Sequence, residues 1–254
     1  MKIFCLSIHN NNYEKLKKLD LIPVGLGDAK FHTDWLNDKG TFNISKKNKN
    51  FGEYTFHYHL WKNILVNNSY DNWIGFCSYR RFWTNTSGVN IQSLEDLNKI
   101  LIKDQKDDWD KFDVILGEPL IFGKIKNSKL IKRNFLEVIK KPSVLFKKNS
   151  LMDQFRIFHG SFFLKKSLNL LSRENKINFE IFLNNYELNP YNMFICKNSK
   201  ILNQFYNELF PWLFKCEDEF KNINLNSYDK IRIYGFLAER YMPYWFKKNF
   251  KTTT

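Results

Sequence analysis

The sequence predicts an α/β fold: one domain over residues 1–254, with a mostly parallel central sheet flanked by helices and a helical C-terminal part. Three observations carry this prediction. Short apolar runs alternate with helical patterns in the first half, which is typical of strands joined by crossover helices. Long stretches of the second half repeat apolar residues at helical spacing. The chain has only 10 Gly and 6 Pro, and no internal repeat or linker divides it.

The first elements are predicted from apolar runs and their spacing. Residues 2–8 form an apolar run that predicts the first strand, and residues 34–50 are polar and rich in turn signals. Two glycines precede Asp28 and would allow a close approach of the backbone, although a plain turn explains them as well. A helix is predicted from about residue 51, because apolar side chains recur at spacings of three and four: Phe51, Tyr54, Tyr58, Trp61 and Leu65.

The central element is a buried strand over residues 73–79, which is followed at once by Arg80 and Arg81. Ligands of open α/β sheets bind at the carboxyl ends of strands. A guanidinium is always charged and presents a planar fork of donors, so an arginine pair at that place suits a phosphate. The alternative is an exposed turn whose arginines pair with surface carboxylates. The sequence gives the two interpretations about equal weight.

The remaining elements follow from capping signals and apolar periodicity. Ser93 and Asp96 have the spacing of a capping box, which predicts a helix over residues 93–103. Residues 112–116 form a short buried strand. The other predicted elements are helices at 130–139 and 167–173, a strand within 189–196 entered by a turn, a helix at 198–220 with an irregularity at Pro211, a helix at 228–248 and a frayed end at 251–254.

The net charge of +14 would attract polyanions, but the lysines are spread over the whole chain and form no basic stripe. A nucleic-acid partner is therefore not favoured. The four cysteines form no C-x-x-C pair, which predicts buried free thiols in a reducing compartment. No apolar run reaches the length of a membrane span. We expect a cytoplasmic protein, with peripheral contact to the inner face of a membrane as an open alternative.

Several catalytic motifs are absent from the sequence. It has no Walker P-loop, no Rossmann glycine fingerprint, no H-E-x-x-H and no G-x-S-x-G. The stretch Asp107-Asp108-Trp109-Asp110 offers the letters of a D-x-D metal motif, but it precedes a strand instead of ending one. It is interpreted as a solvated turn. The five histidines show no zinc-ligand spacing with the cysteines, so no zinc site is predicted. A divalent metal remains an open alternative that no well-placed D-x-D supports.

A series of short blocks then gives the sequence a family likeness. The blocks are, in chain order, Ile-Pro-Val-Gly at 22–25, Asn-Ile-Ser-Lys-Lys-Asn at 43–48, Glu-Tyr-Thr at 53–55, Trp-Lys-Asn at 61–63, a strand ending in Ser-Tyr-Arg-Arg-Phe at 78–82, Tyr-Asn-Met-Phe-Ile at 191–195 and Gly-Phe-Leu-Ala-Glu-Arg at 235–240. Together they resemble a bacterial and viral family, formally of unknown function, from capsule, exopolysaccharide and O-antigen gene clusters. Its signature strand ends in His-Tyr-Arg-Arg, and its members are generally taken as glycosyltransferases.

The resemblance implies a GT-A-like glycosyltransferase that passes a sugar from a nucleotide-sugar, most simply a UDP-sugar, to a glycan or lipid-linked acceptor. Residues 1–120 would then bind the donor, and residues 121–254 would form the acceptor side and the helical C-terminal half. Two positions depart from the pattern, because Ser78 stands where the family usually has His and Phe42 where it usually has Asp. An inactive sugar-binding relative is therefore the alternative, beside a nucleic-acid-binding module.

Candidate site residues follow from the strand-end arginines and the family blocks. The residues predicted to bind the donor and its diphosphate are Tyr79, Arg80, Arg81, Asp28, Asn43, Lys47 and Glu53. Those predicted to shape the acceptor side are Tyr191, Asn192 and Arg240. The acid–base candidates are Glu239, Asp113 and His159, since an inverting transfer needs a base near the acceptor hydroxyl. The plain alternative for Glu239 is an ion pair with Arg232 or Arg240.

Overall fold

The structure is a computed structural model that describes residues 1–66, 69–86, 91–122, 136, 138–146 and 148–254. Its strands are β1 Lys2–Ser7, β2 Ile22–Gly25, β3 Leu36–Asn37, β4 Ile74–Ser78, β5 Val114–Leu116, β6 Leu120–Ile121, β7 Glu187–Leu188, β8 Phe194–Cys196 and β9 Thr252–Thr253. Its helices are α1 Tyr13–Lys18, α2 Asn48–Phe51, α3 Tyr54–His59, α4 Leu94–Ile100, α5 Leu151–His159, α6 Ser161–Asn169, α7 Arg173–Leu183, α8 Ser199–Phe220, α9 Tyr228–Ile231 and α10 Ile233–Asn249. A π-helical turn, Leu60–Leu65, continues α3.

Seven of these strands form the central sheet, in the order β3-β2-β1-β4-β8-β5-β9, while β6 and β7 pair separately. The β1–β2, β1–β4, β2–β3 and β5–β9 pairs are parallel, and β8 runs antiparallel to both of its neighbours. The mixed α/β fold with a mostly parallel sheet and flanking helices is thus confirmed. Because β8 is reversed, its amino end lies at the edge where the parallel strands end.

The central strands β1, β4, β5 and β8 are buried on both faces of the sheet, which explains why they are nearly continuous apolar runs in the sequence. Side chains of a strand alternate between the two faces. Phe4 of β1 and Phe76 of β4 therefore belong to the large core layer beneath α3, α8 and α10. Cys5 and Cys77 point to the smaller layer on the other side. All four cysteines are buried and free, as the sequence predicts.

Local signals in the sequence predict several elements correctly. The Ser93 hydroxyl accepts a hydrogen bond from the Asp96 N–H, and the Asp96 carboxylate accepts one from the Ser93 N–H, so the capping box of α4 is confirmed. Asn198 caps α8, whose observed bounds match the predicted helix. Pro211 lies within α8 and does not end it.

Two predictions of local structure are wrong, and a third is correct only in part. The end of the chain is not frayed, because β9 pairs with β5 through Val114 and Thr252. The helix predicted at 167–173 straddles the turn between α6 and α7. The helix predicted at 228–248 is interrupted at Arg232, between α9 and α10. The helix predicted at 130–139 falls mostly outside the described residues.

Among the described residues, no helix has both the length and the apolar character that crossing a bilayer requires.

A buried histidine makes the stability of the fold depend on pH. The Nδ1 atom of His57 lies 2.7 Å from the Tyr206 hydroxyl, and the ring packs against Phe76 with 4.3 Å between centroids. Burial lowers the pKa of His57 to about 3. Histidine in an unfolded chain titrates near pH 6.5, so below that pH the unfolded state binds the additional proton and the folded state is destabilised.

We expect this histidine to lower the free energy of unfolding by about 1.4 kcal/mol per pH unit between pH 6 and pH 4. Urea denaturation of the wild type and of His57→Phe across this range would measure the effect. The stability difference between the two proteins should shrink or reverse as pH falls, because only the wild type carries the histidine. A difference that stays constant with pH would contradict the burial of a neutral imidazole.

Candidate functional site

The carboxyl ends of β1, β2 and β4 and the amino end of β8 meet at one edge of the sheet, which is where open α/β sheets bind ligands. Arg80 and Arg81 follow β4 at this edge. Their turn is closed by two backbone hydrogen bonds between Ser78 and Arg81, of 3.0 and 3.2 Å. The N–H of Tyr79 donates to the Leu6 carbonyl of β1, at 3.1 Å. The arginine pair is therefore fixed to two neighbouring strands.

The guanidinium groups of both arginines are available to a ligand. Arg81 lies over the ring of Tyr191, at 3.7 Å from its centroid, and Arg80 lies 5.1 Å from the ring centroid of Tyr79. Both arginines are exposed. Neither pairs with any carboxylate that the structure describes. The exposed turn of the alternative interpretation is therefore observed, but its surface ion pairs are not. Two cations at a strand end that have no counter-charge in the described part of the chain can accept an anion.

Tyr191 and Asn192 form a turn with an unusual backbone. Their φ angles are 73° and 53°, in the left-handed region that residues other than glycine seldom adopt. Such a conformation persists only where the surroundings hold it. Here the N–H of Tyr191 donates to Glu239 Oε1 at 2.9 Å, and the buried amide of Asn192 accepts from the Tyr54 hydroxyl at 2.8 Å. The turn is thereby held under the Arg81 guanidinium.

Glu53 supports the same turn from the start of α3. Its Oε1 accepts from Asn192 Nδ2 at 2.8 Å, and its Oε2 accepts from Arg232 Nη2 at 3.1 Å. Glu53 makes no helix-capping hydrogen bond. Gly52 has a φ of 60°, and a Cβ atom there would overlap the Arg232 guanidinium. The glycine therefore allows Arg232 to reach Glu53 across the break between α9 and α10.

Glu239 and Arg240 form a largely buried ion pair on α10. Arg240 Nη1 donates to Glu239 Oε2 at 3.0 Å and to the Phe236 carbonyl at 3.1 Å, and the guanidinium lies over the Phe155 ring. Burial lowers the pKa of Arg240, and the negative charge of the adjacent Glu239 partly offsets this decrease. A guanidinium remains charged under these conditions. Both oxygens of Glu239 are thus occupied, one by a buried cation and one by the strained turn.

A second network fixes the loop after β2. Both carboxylate oxygens of Asp38 accept from the Gly27 N–H, at 3.1 and 3.2 Å, and Asp38 is fully buried. Burial raises the pKa of Asp38, and the hydrogen bond from Thr55, which acts to lower the pKa, offsets only part of this increase. Gly27 has a φ of 71° and faces Asn48, which leaves little room for a side chain. Asp28 follows this loop at the same edge of the sheet and is exposed.

The other predicted residues are engaged in local structure. Asn43 closes its own loop, donating to the Gly40 carbonyl at 2.6 Å, and Lys47 pairs with Glu217 of α8 at 2.6 Å. His159 is buried, with Nδ1 2.8 Å from the Asp229 carbonyl oxygen and its ring stacked on Phe236. These three residues therefore have structural partners in the surrounding loops and helices.

Asp113 is the predicted residue that the structure separates from the others. It immediately precedes β5, so it lies at the edge where the parallel strands begin, opposite the arginine pair. Its Oδ2 accepts from the Lys251 N–H at 3.1 Å and so anchors the segment that enters β9. A strand carries its two ends to opposite edges of the sheet, so the candidates Asp113 and Glu239 lie apart: Glu239 contacts the Tyr191 turn at the edge of the arginine pair.

Several residues of this edge were not singled out from the sequence. The Ser7 hydroxyl, at the end of β1, donates to the His9 carbonyl at 2.8 Å, and the His9 ring lies edge-on to Tyr79. Asp38 and Tyr54 were missed as well. A usable signal existed for Ser7, since a polar residue that follows an apolar run marks a strand end in the same way as Arg80. No comparable signal marked Asp38, whose partners are Gly27, in the loop after β2, and Thr55, in α3.

The described part of the chain contains no group of three or more His, Cys, Asp or Glu side chains placed to hold a metal ion.

Comparison with known proteins identifies the fold and the family. Among solved structures, the chain is similar to the apo structure of WbbM, described as a bifunctional glycosyltransferase, with a TM-score of 0.67 and 18% identity. The similarity covers 100% of this chain but 44% of that one, so this chain spans less than half of its length. No curated protein matches. A family model matches residues 2–250, and the chain therefore belongs to the family described as a domain of unknown function, DUF4422.

Proposed function

We propose that this protein is a glycosyltransferase of the GT-A type that moves a sugar, in the simplest case a hexose, from a nucleotide-sugar to a glycan or lipid-linked acceptor in surface polysaccharide synthesis. The observation that carries the proposal is the Arg80–Arg81 couple at the ligand-binding edge of the sheet, which pairs with no carboxylate among the described residues. The likeness of the whole fold to a protein described as a glycosyltransferase supports it. A UDP-sugar is the donor class we propose.

The chemistry of the proposal is electrostatic. Sugar transfer releases a nucleoside diphosphate, whose charge develops as the glycosidic bond breaks. Arg80 and Arg81 would bind that diphosphate, and Tyr191 would hold the Arg81 guanidinium in one orientation by stacking. Residues 1–120 supply both arginines, so we assign donor binding to this half and the acceptor side to residues 121–254. A divalent metal is not part of the proposal.

Other predicted residues take supporting roles in this proposal. Asp28 lies exposed at the same edge and is open to the donor. Asn192 and Glu53 hold the turn that carries Tyr191. Glu239 secures that turn and Arg240 at once, which favours a positioning role over the role of base.

A second candidate is a protein that binds the nucleotide-sugar without transferring the sugar. Ser78 stands where the family usually has His, and its hydroxyl is buried with no hydrogen-bond partner among the described residues. If the usual His acts in the reaction, a serine would remove that group and leave binding intact. A nucleic-acid-binding function has no comparable support, because the arginine pair follows a buried strand and does not extend into a basic stripe.

A panel of nucleotide-sugars tests both candidates. We expect one donor, in the first instance a UDP-sugar, to raise the Tm and to be hydrolysed slowly with release of the nucleoside diphosphate. A raised Tm without hydrolysis or transfer to any acceptor would favour the second candidate. If no member of the panel raised the Tm while random oligonucleotides did so in a salt-dependent manner, the proposal would be overturned.

We further propose a cytoplasmic location with peripheral contact to the inner face of the membrane.

A further inference from the structure

A cavity of about 660 Å³ lies away from the arginine pair, among α5, α6, α7 and the segment that leads into residues 142–145. Its floor is apolar and is formed by Val144, Ile157, Leu164 and Leu168. A second cavity of about 310 Å³ adjoins it, since Lys141, Val144 and Asp153 line both. Because none of the candidate site residues lines either cavity, the two cavities form a separate region, which we call the helical cavity.

The walls of the helical cavity are strongly basic. Among the residues that the structure describes, the cations that line it outnumber the carboxylates, Asp153 and Glu180, by three to one: they are Lys140, Lys141, Lys148, Arg156, Lys165 and Lys176. Asp153 is already neutralised by Lys141 at 2.6 Å. Arg156 and Lys165 pair with no carboxylate in the described part of the chain. Positive charge above an apolar floor is complementary to an anion that carries an apolar group.

Large apolar side chains are exposed on the chain segments that line the helical cavity, and one of them lines the cavity itself. Phe162 lines it and is 47% exposed, and Ile181, beside Glu180, is 62% exposed. Ile139 and Phe146, which flank the wall residues 140–144, are 55% and 77% exposed. Single exposed apolar side chains are ordinary, so the surfaces that would receive an apolar group are the floor of the cavity and Phe162, which line it directly.

We propose that the helical cavity binds a phosphate-bearing lipid, with the phosphate at Arg156 and Lys165 and the apolar chain on the floor and against Phe162. Two sources share this chemistry: an anionic lipid of a bilayer, and a lipid-linked acceptor, which rests on the function proposed above. Both place the same headgroup at the same cations. Binding itself does not depend on sugar transfer, so it can be tested separately from that function.

The test uses the full chain and dihexanoyl phosphatidic acid below its micelle concentration, measured by calorimetry. We expect saturable binding with one lipid per chain and at least tenfold weaker binding of inorganic phosphate, which lacks an apolar chain. Arg156→Glu/Lys165→Glu should weaken lipid binding at least tenfold. The matched control, Lys99→Glu/Lys111→Glu, changes the net charge equally on exposed residues elsewhere and should bind as the wild type does.

A separate variant tests the apolar contact of the site with the lipid chain. Phe162→Ser should weaken lipid binding several-fold and leave inorganic phosphate binding unchanged. Equal Tm values would show that each variant is folded. Absence of saturable lipid binding in the wild type, or an equal loss in the control, would overturn the proposal.

Vesicles of phosphatidylglycerol and phosphatidylcholine then separate the two sources. Vesicle binding that the cavity variant loses assigns the site to a bilayer lipid. Vesicle binding that the variant retains, beside lost binding of the monomeric lipid, assigns it to a single lipid-linked phosphate. The Tm increase caused by a nucleotide-sugar should persist in the cavity variant, so failure of one proposal leaves the other measurable.

Discussion

Arg81→Ala should lower the rate of sugar transfer about 10²- to 10³-fold, as the removal of one preorganised group that stabilises a developing charge commonly does. The guanidinium is exposed, so its removal should leave the fold intact. The measurement is kcat/KM with the donor found in the nucleotide-sugar panel, beside the Tm of each variant. Arg80→Ala should show a loss in the same direction.

Two controls distinguish the proposed role from a general effect of charge. Arg173→Ala removes an exposed arginine at the start of α7, away from the sheet edge, and should retain full activity. Arg81→Lys keeps the charge but cannot stack as a plane on Tyr191, so its activity should lie between those of the wild type and the alanine variant. Full activity in both Arg80→Ala and Arg81→Ala would contradict the diphosphate-binding role.

The sequence predicted those features that depend on neighbours along the chain. The strand that ends at the arginine pair was recognised because a short apolar run is followed at once by charge. The start of α4 was recognised because Ser93 and Asp96 are three residues apart. In both cases the interacting residues are close in sequence, so their spacing alone carries the information.

The features that were missed depend on pairing across long sequence separations. Asn192 and Glu53 are 139 residues apart, and Arg232 and Glu53 are 179 apart. No local pattern predicts such contacts, nor the left-handed backbone of Tyr191 that they hold. The pairing of β9 with β5 was not predicted, for the same reason. The last four residues show no apolar periodicity, and the strand with which they pair is distant in the sequence.

Glu239→Ala should destabilise the folded protein by about 3–5 kcal/mol, the usual cost of leaving one partner of a buried ion pair without the other. Arg240 is nearly inaccessible, and its Nε already lacks a partner among the described residues. The same substitution removes the acceptor of the Tyr191 N–H, which helps to hold the left-handed turn. Urea denaturation would measure the loss. A change below about 1 kcal/mol, the value typical of exposed pairs, would contradict the burial of this pair.

The double variant Glu239→Ala/Arg240→Leu separates the two parts of that loss. Without the buried guanidinium there is no uncompensated charge, so the double variant should be more stable than Glu239→Ala alone. The double variant should still be less stable than the wild type, because the Tyr191 turn has lost its acceptor and the packing of the Arg240 side chain has changed.

Glu239→Gln decides between positioning and acid–base chemistry. An amide keeps an acceptor for the Tyr191 N–H but cannot take a proton from an acceptor hydroxyl. If Glu239 only positions the turn, this variant should keep substantial kcat and the wild-type pH profile while losing some stability. If Glu239 is the base, kcat should fall by 10² or more and the acidic limb of the profile should disappear. Because both carboxylate oxygens already have partners in the folded chain, we expect the first result.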